Sequence, residues 1–393
     1  MQNTVLLFES RDLCYESNRY FVECIAEALE QRGYIAEICD LSVQMEEKLE
    51  RILDCQKKYL LAVDFNSLLP RLELEDGTPY LELFSVPFFN YLVDHPLYHH
   101  AGLKKGFPLY FVLCIDTLHR AYIERYYPHI KKAYDLPLGA MRAKLERNFS
   151  QKRMELLFLG TYEPEEKLYQ ELWDYPKEAR RELTALIEMM KAESELTQEK
   201  ALKRYLTEQG QTLEREEFAK RLNQDYLADK YLRNVRRKEA VLAAAKANVP
   251  FTIIGHGWDA VRGLDKQQIQ WRQGVGFAAS IQMMANARML LNSTPGFHGG
   301  LHDRVYSAMI NHTLCFTERS RFAQTKLTDG EEVIFYDDKN PDALTEKIVF
   351  LHQHPSHIKE IAEKAFAKAA FQETWDARVK TLLDIALNTI KEA

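Results

Sequence analysis

Apolar residues along the chain switch between two periods, and the switching predicts strands alternating with helices. Residues 4–8 (TVLLF) form a short apolar run of strand length. Apolar side chains at 21, 22, 25, 26, 28 and 29 then repeat at helical spacing, and Gly33 closes that helix. Strand-like runs follow at 34–41, 59–65, 88–93 and 109–115, with helical stretches near 43–54 and 117–127. This alternation implies βαβ units and a mostly parallel sheet. In such sheets ligands sit beyond the carboxyl ends of the strands, so loops that follow strands rank first among polar positions.

A second strand series occupies 154–160, 251–255, 289–292, 313–317 and 333–336. Between its first two members, residues 163–246 carry 18 acidic and 17 basic side chains, interrupted only by Pro164, Pro176 and Gly210. Apolar residues at 183, 186, 187 and 190, and again at 218, 222 and 226, predict amphipathic helices that dock one face. Both a solvated helical hairpin and an interaction arm fit this balanced charge. From Pro341 the pattern is helical again, with Leu344, Ile348 and Leu351 on one face and Ile361, Ala365, Ala369 and Ala370 on another. Trp375, Val379, Leu382, Leu383 and Ile385 form a last stripe that no strand follows, so it must be buried elsewhere in the fold. The expected division is a first domain over 1–150, a second over 151–375 with a helical insertion at about 163–247, and a last helix over 376–393 packing back across the domain interface.

Composition narrows the function classes. A chain of 393 residues suggests two or three domains at roughly 150 residues each. Its 46% hydrophobic and 28% charged residues are ordinary for a soluble globular protein. A formal net charge of -6 argues against a nucleic-acid partner. No apolar run reaches the length of a membrane span, and MQNTVLLFES lacks the basic start and cleavage site of a signal peptide. The expectation is a cytoplasmic protein with no integral membrane segment, peripheral membrane contact being left open. Six cysteines, at 14, 24, 39, 55, 114 and 315, form no CxxC pair and sit mostly in apolar contexts, which fits reduced core residues better than disulfides or zinc. The oligomeric state cannot be read from the pattern.

The segment 290–318, LLNSTPGFHGGLHDRVYSAMINHTLCFTE, joins two apolar runs through a loop with one Pro and three Gly and a short helix. Such a loop offers unpaired backbone N–H groups and the positive end of a helix dipole, so it can hold a phosphate without Lys or Arg. A plain tight turn in an α/β domain would use the same glycines. In the first series, VDHP places Asp94 and His95 just beyond a strand. Either side chain can take a proton from a hydroxyl, and an Asx turn before Pro96 explains the same residues. His95, His99 and His100 cluster with Asp94 in one loop, but without a distant partner they do not make a metal site.

The run NSTPGFHGGLHDRVYSAMINHTLCFTE, followed by GEEVIFYDD and a helical tail, resembles the C-terminal nucleotide-sugar domain of bacterial group 1 glycosyltransferases, in their CgeB-like branch. The resemblance covers roughly 286–375 and, through ELLFLGTY and FTIIGHGWD, most of 151–375; residues 1–150 resemble the family in pattern alone. It implies an α/β protein of the GT-B fold, two Rossmann-like domains with parallel sheets facing a cleft. The donor is held by the second domain and the acceptor approached from the first. It implies a hexosyltransferase-type enzyme that moves a sugar from a nucleotide diphosphate sugar, UDP-linked, to a hydroxyl on a glycan or protein. The nucleotide sugar is then a substrate, with no cofactor and no metal. No two aspartates in the chain are separated by a single residue, so the metal-binding Asp-x-Asp motif of the other common glycosyltransferase fold is missing.

Carried onto this sequence, the resemblance implies a donor site of Gly160, Thr161, Gly255, Gly257, Gly276, Thr294, Phe297, His298, Gly299, Gly300, His302, Asp303 and Arg304. Gly299 and Gly300 let the backbone approach the donor, and His302, Asp303 and Arg304 occupy the first turn of the phosphate-binding helix. Arg304 suits a bidentate contact to a diphosphate. Asp303 either binds hydroxyls or caps the helix, the cap being favoured. Trp258, next to the loop after the 251–255 strand, either stacks on the base or belongs to the core, and burial statistics favour the core. Asp94, His95 and Arg304 are the catalytic candidates. The chain departs from the family at Ser307, where many members have the Glu that holds the ribose. A nucleotide-sugar epimerase or hydrolase of the same fold and a non-catalytic sensor or scaffold remain alternatives.

Overall fold

The computed structural model describes residues 3–10, 17–264, 267–294 and 296–392; Cys14 and Pro295 lie outside them. The described chain divides into two compact units. The first draws on Met1–Gly139, Arg215–Asn223 and Glu373–Ala393, the second on Ala140–Glu214 and Gln224–Gln372.

The first unit holds a six-stranded parallel sheet of β1 (Thr4–Glu9), β2 (Ile35–Asp40), β3 (Tyr59–Phe65), β4 (Phe88–Leu92), β5 (Tyr110–Cys114) and β6 (Lys132–Asp135) in the order β2-β1-β3-β4-β5-β6. β3, β4 and β5 are buried along their whole length, as expected of a parallel sheet covered on both faces. The periodic pattern misses β6, because KAYD is an edge strand with one buried residue and no apolar run to betray it.

The helix Trp375–Glu392 closes this unit. Trp375 packs 5.5 Å from the ring of Phe21, and a Cβ at Gly139 would run into its indole. Arg32 pairs with Asp376 at 2.7 Å, and the Tyr134 and Thr389 hydroxyls meet at 2.9 Å.

The second unit repeats the plan with β7 (Met154–Leu159), β8 (Phe251–Ile254), β9 (Ile269–Arg272), β10 (Ala287–Leu291), β11 (Leu314–Glu318) and β12 (Ile334–Tyr336) in the order β12-β11-β10-β7-β8-β9, all parallel. β9, the other strand the pattern misses, is again an exposed edge. Winding reverses between β7 and β10, which marks the crevice where open α/β sheets bind ligands.

The insertion is more than the hairpin the charge pattern suggests. It holds the helices Glu165–Glu171, Lys177–Ala192, Gln198–Glu208, Arg215–Gln224 and Tyr226–Lys246. The Arg215–Gln224 helix packs with the first unit, where Phe218 stacks on Tyr126 at 5.4 Å and Asn223 Nδ2 donates to Leu97 O at 2.7 Å. Leu183, Leu186, Ile187 and Met190 are buried as their spacing predicts, whereas Tyr226 stays exposed. Among the described residues no helix is long and apolar enough to cross a membrane, and Cys24, Cys39, Cys55, Cys114 and Cys315 are free thiols.

Candidate functional site

At the reversal in the second sheet, the loops after β7 and β10 are built from small and polar residues. The Phe297 N–H closes a turn onto Thr294 O, with Gly296 in the left-handed region at φ 96°. Asp229, from the long insertion helix, lies 3.4 Å from where a Cβ on Gly296 would stand, so the helix and the turn leave little room for a side chain. Gly299 and Gly300 are buried and lead into the helix Asp303–Ile310. The cap of that helix is His302, which stands just before the first turn, rather than Asp303.

Arg304 spans the reversal. Its Nη1 donates to Leu159 O at the end of β7 (2.9 Å), and its Nη2 lies 3.3 Å from His302 Nε2. A guanidinium only donates, so Nε2 faces it with a lone pair, while Nδ1 lies between the Arg304 amide, 3.2 Å away, and the Asp303 carboxylate. Nδ1 sits 2.5 Å from Asp303 Oδ1. Burial holds His302 below its ordinary pKa, against the pull of Asp303, which keeps the ring neutral in this relay. Burial also pushes the Arg304 guanidinium below its usual value. Among the described residues no carboxylate stands within 4 Å of it, so its direct hydrogen-bond partners are neutral, while the Asp303 and Glu318 carboxylates attract it from further off.

The loop that leads into this helix also walls a cavity of about 350 Å³, lined by Arg236, Thr294, Phe297, His298, Glu318 and Asp338 among others. Its wall comes from the carboxyl ends of β11 and β12, the loop after β10 and the insertion helix. A larger cavity of about 580 Å³ lies before β7, among Arg147, Phe149 and His312, away from the strand ends where ligands collect.

The other residues expected at the donor site are distributed unevenly. Thr294, Phe297 and His298 line the cavity, and Gly160 and Thr161 face the reversal beside Arg304. Trp258 Nε1 donates to Gly160 O and Arg237 Nη1 to Thr161 O, at 2.7 and 2.6 Å. Trp258 itself is core, 2% exposed. Gly255 and Gly257 bring the loop after β8 against the loop after β7: a Cβ on either would overlap the carbonyl oxygen of Gly160 or Tyr162. Gly276 stands apart, exposed, as the cap of the helix Phe277–Asn286 with open space around it.

The first unit gathers its polar residues at the ends of β3 and β4. Asn66 and Ser67 both adopt left-handed backbone, φ 52° and 59°. They are held there by the Asp64 carboxylate, which accepts the Phe65 and Leu69 amides, and by Asn90 Oδ1, which accepts the Ser67 amide. Burial pushes Asp64 up to about 7 against those amides. Asn66 Oδ1 accepts the Val93 amide, while its Nδ2 donates to Asp94 Oδ2 at 3.0 Å. His95 caps the next turn through Nδ1, which accepts the Leu97 amide at 3.0 Å. With that lone pair engaged, the ring proton sits on Nε2, which leaves Asp94 the better placed proton acceptor of the two. His99, driven by burial down to about 4, accepts from Arg71 at 3.1 Å. Among the described residues no group of His, Cys, Asp or Glu is placed to hold a metal ion.

Glu318, Arg236, Arg237, Asn66 and Asp64 escaped the sequence reading. Glu318 was reachable by the rule that singled out Asp94, since it closes an apolar strand. Arg236 and Arg237 were not, because nothing distinguishes them from the other charges of the insertion.

Two six-stranded parallel sheets with these strand orders define a GT-B protein, and comparison with known proteins agrees. Residues 233–384 match a family model described as glycosyl transferase-like. No curated protein matches the chain in sequence. In three dimensions the chain is similar to a sucrose-phosphate synthase from Thermosynechococcus elongatus (10% identity, TM-score 0.57, all of both chains covered). It is also similar to a glycosyltransferase from Rickettsia africae (9%, TM-score 0.55, all of both chains). A third similar structure is Anabaena HepE in complex with UDP and glucose (10%, TM-score 0.55, 98% of this chain and 99% of that one). At such identities the likeness establishes the fold, and the partial family match supports a glycosyltransferase-like second unit.

Proposed function

We propose that the protein is a group 1 glycosyltransferase of the CgeB-like branch, which takes a sugar from a nucleotide diphosphate sugar and gives it to a hydroxyl acceptor on a glycan or protein. One observation carries the reading. Arg304, a half-buried cation whose direct hydrogen-bond partners are neutral, stands at a helix N-terminus where the sheet reverses. Burial without a directly bonded anion costs the guanidinium stability, which Asp303 and Glu318 offset from a distance, and an anion docking there offsets it further. The helix dipole adds to the same attraction. The neighbouring cavity has room beside the loop for the rest of a donor, and Anabaena HepE, similar in fold, is described with UDP and glucose.

In this reading UDP is the carrier and the transferred unit a hexose. As the glycosidic bond breaks, charge grows on the leaving diphosphate, and Arg304 with the helix N-terminus stabilises it from fixed positions. That role needs no metal, and we propose none. Asp94, oriented by Asn66, is the candidate that takes the acceptor's proton.

The test is a thermal-shift panel of nucleotide sugars with wild type, Arg304→Ala and Arg304→Lys. We expect UDP-sugars to stabilise the wild type, the alanine variant to respond weakly, and lysine to recover part of the response. A wild type indifferent to every nucleotide diphosphate sugar would overturn the assignment.

A further inference from the structure

The larger cavity, of about 580 Å³, belongs wholly to the second unit and lies at the end of its sheet opposite the donor loop. Residues 146–151, which lead into β7, form one wall. His312, just before β11, and Lys359, Ala362 and Glu363 of the helix Pro355–Gln372 form the other. β7 and β11 start here and end on the donor side, so a molecule bound here stays apart from the donor loop. The volume is that of a small-molecule site.

One charge in this wall has no counter-ion. Glu146 pairs with Arg142 at 2.9 Å, and Glu363 with Lys359 at 3.6 Å. Arg147, half-buried, forms no ion pair or hydrogen bond among the described residues, and its Nε is enclosed without an acceptor. A buried donor left unmet costs stability, and a bound oxyanion supplies what it lacks. The planar guanidinium fork fits a phosphate or a carboxylate with two parallel bonds. Lys152 strengthens the attraction from behind the wall: it follows Gln151 in the chain and donates to Asn311 O, beside His312, with only neutral oxygens as its partners.

The remaining wall suits hydroxyls. Glu146 and Glu363 are carboxylate acceptors whose ion pairs lie at the surface, where such pairs are weak and hydroxyls compete for them. His312 stacks on Phe366 at 3.9 Å, which fixes its ring, and neither ring nitrogen has a hydrogen-bond partner among the described residues. Burial, and after it the Lys152 charge, holds His312 below its ordinary pKa, so the neutral ring offers one donor and one acceptor.

We propose that this cavity is a second ligand site, for a small polyol that carries one oxyanion group, such as a sugar phosphate or a sugar acid. Arg147 holds the oxyanion, and Glu146, Glu363 and His312 bind the hydroxyls.

The experiment is calorimetric titration of the full chain with ribose 5-phosphate, glucuronate, ribose and inorganic phosphate, comparing wild type, Arg147→Gln and Arg304→Ala. We expect ribose 5-phosphate or glucuronate to bind wild type and Arg304→Ala alike, and Arg147→Gln to bind it more weakly by roughly tenfold or more. Which of the two binds tells phosphate from carboxylate. Ribose should not bind measurably. If neither anionic sugar binds, the proposal is overturned. Binding that Arg304→Ala abolishes and Arg147→Gln retains overturns it too, because the ligand then sits at the donor loop. Inorganic phosphate binding as tightly as ribose 5-phosphate would remove the polyol from the assignment and overturn it in that form. Arg147 makes no bond that glutamine would break. Should the variant nevertheless fail to fold, Arg147→Lys, which keeps the charge and loses the fork, is expected to weaken binding several-fold, and unchanged affinity would overturn the role of the guanidinium.

Discussion

The Ser307 hydroxyl accepts the amide of Met141 at 2.9 Å, and one turn later Asn311 exchanges bonds with Ala143 N and Met141 O. This face of the helix after the glycine-rich loop is thereby knitted to residues 141–143, with Ser307 and Asn311 both buried. The serine that departs from the family pattern is therefore committed to holding the fold. Ser307→Ala leaves a buried amide without its acceptor and should cost about 1–3 kcal/mol. Ser307→Glu, the residue of the resembled family, should destabilise further by overpacking and bring no gain in nucleotide affinity. Denaturant melts and titration with UDP check both.

Gly257 sits at φ 82° with its Cα against the Tyr162 carbonyl. Gly257→Ala combines an unfavourable backbone with a collision against main chain, which cannot rotate away. A loss of roughly 2 kcal/mol or more is expected. Gly276→Ala, where nothing lies within 4 Å, should be close to neutral. A thermal melt of the two variants side by side separates packing glycines from the rest.

Lys152 is 3% exposed and gives its ammonium protons to Ala285 O, Asn311 O and Thr313 Oγ1 at 2.7–3.0 Å. All three acceptors are neutral, and burial lowers the lysine from its ordinary 10.5 to about 7. Between those values the unfolded chain binds the proton and the folded chain does not, so stability rises with pH across that window. The contribution is complete above 10.5 and lost as pH falls through about 7. The stability difference between wild type and Lys152→Met should therefore shift in favour of the wild type from pH 7 to 10. A flat difference would show that the amine stays charged.

Asp94 and His95 can be told apart by rate. Asp94→Asn should lower turnover on the order of 10²–10⁴-fold while leaving UDP binding intact. His95→Asn keeps a side-chain acceptor for Leu97 N and should change turnover far less. The readout is transfer from the donor that the thermal-shift panel identifies.

Trp375 fills the space between Phe21 and Gly139 at 6% exposure. Trp375→Ala should cost about 3–5 kcal/mol. Amide exchange should locate the loss in the helix Ser17–Glu30 and in β1 and β2, which that helix covers.

Much of this architecture could be read from the chain, since buried parallel strands are continuous apolar runs: FFNYL, YFVLC and MELLFL announce themselves. KAYD and IQWR do not, because an edge strand is held by its backbone on one side and needs no apolar side chains. The glycine-rich loop was visible for its glycines, yet which of them serve packing and which face open space depends on backbone angles that composition does not carry. Glu318 and Asn66 were overlooked for a related reason. A lone polar residue at a strand end looks like the start of a loop until the sheet order shows what it faces.

The chain passes between its two units four times, at 139/140, 214/215, 223/224 and 372/373. Biosynthesis therefore finishes in a particular order. The first sheet leaves the ribosome early, but the helix carrying Trp375 follows the whole of the second unit. Until then the face of Phe21 and Gly139 that it covers is bare apolar surface, a site for aggregation or for a chaperone. The unit begun first is completed last, so expressing residues 1–139 alone should yield an insoluble fragment, and supplying 373–393 on a short linker should rescue it.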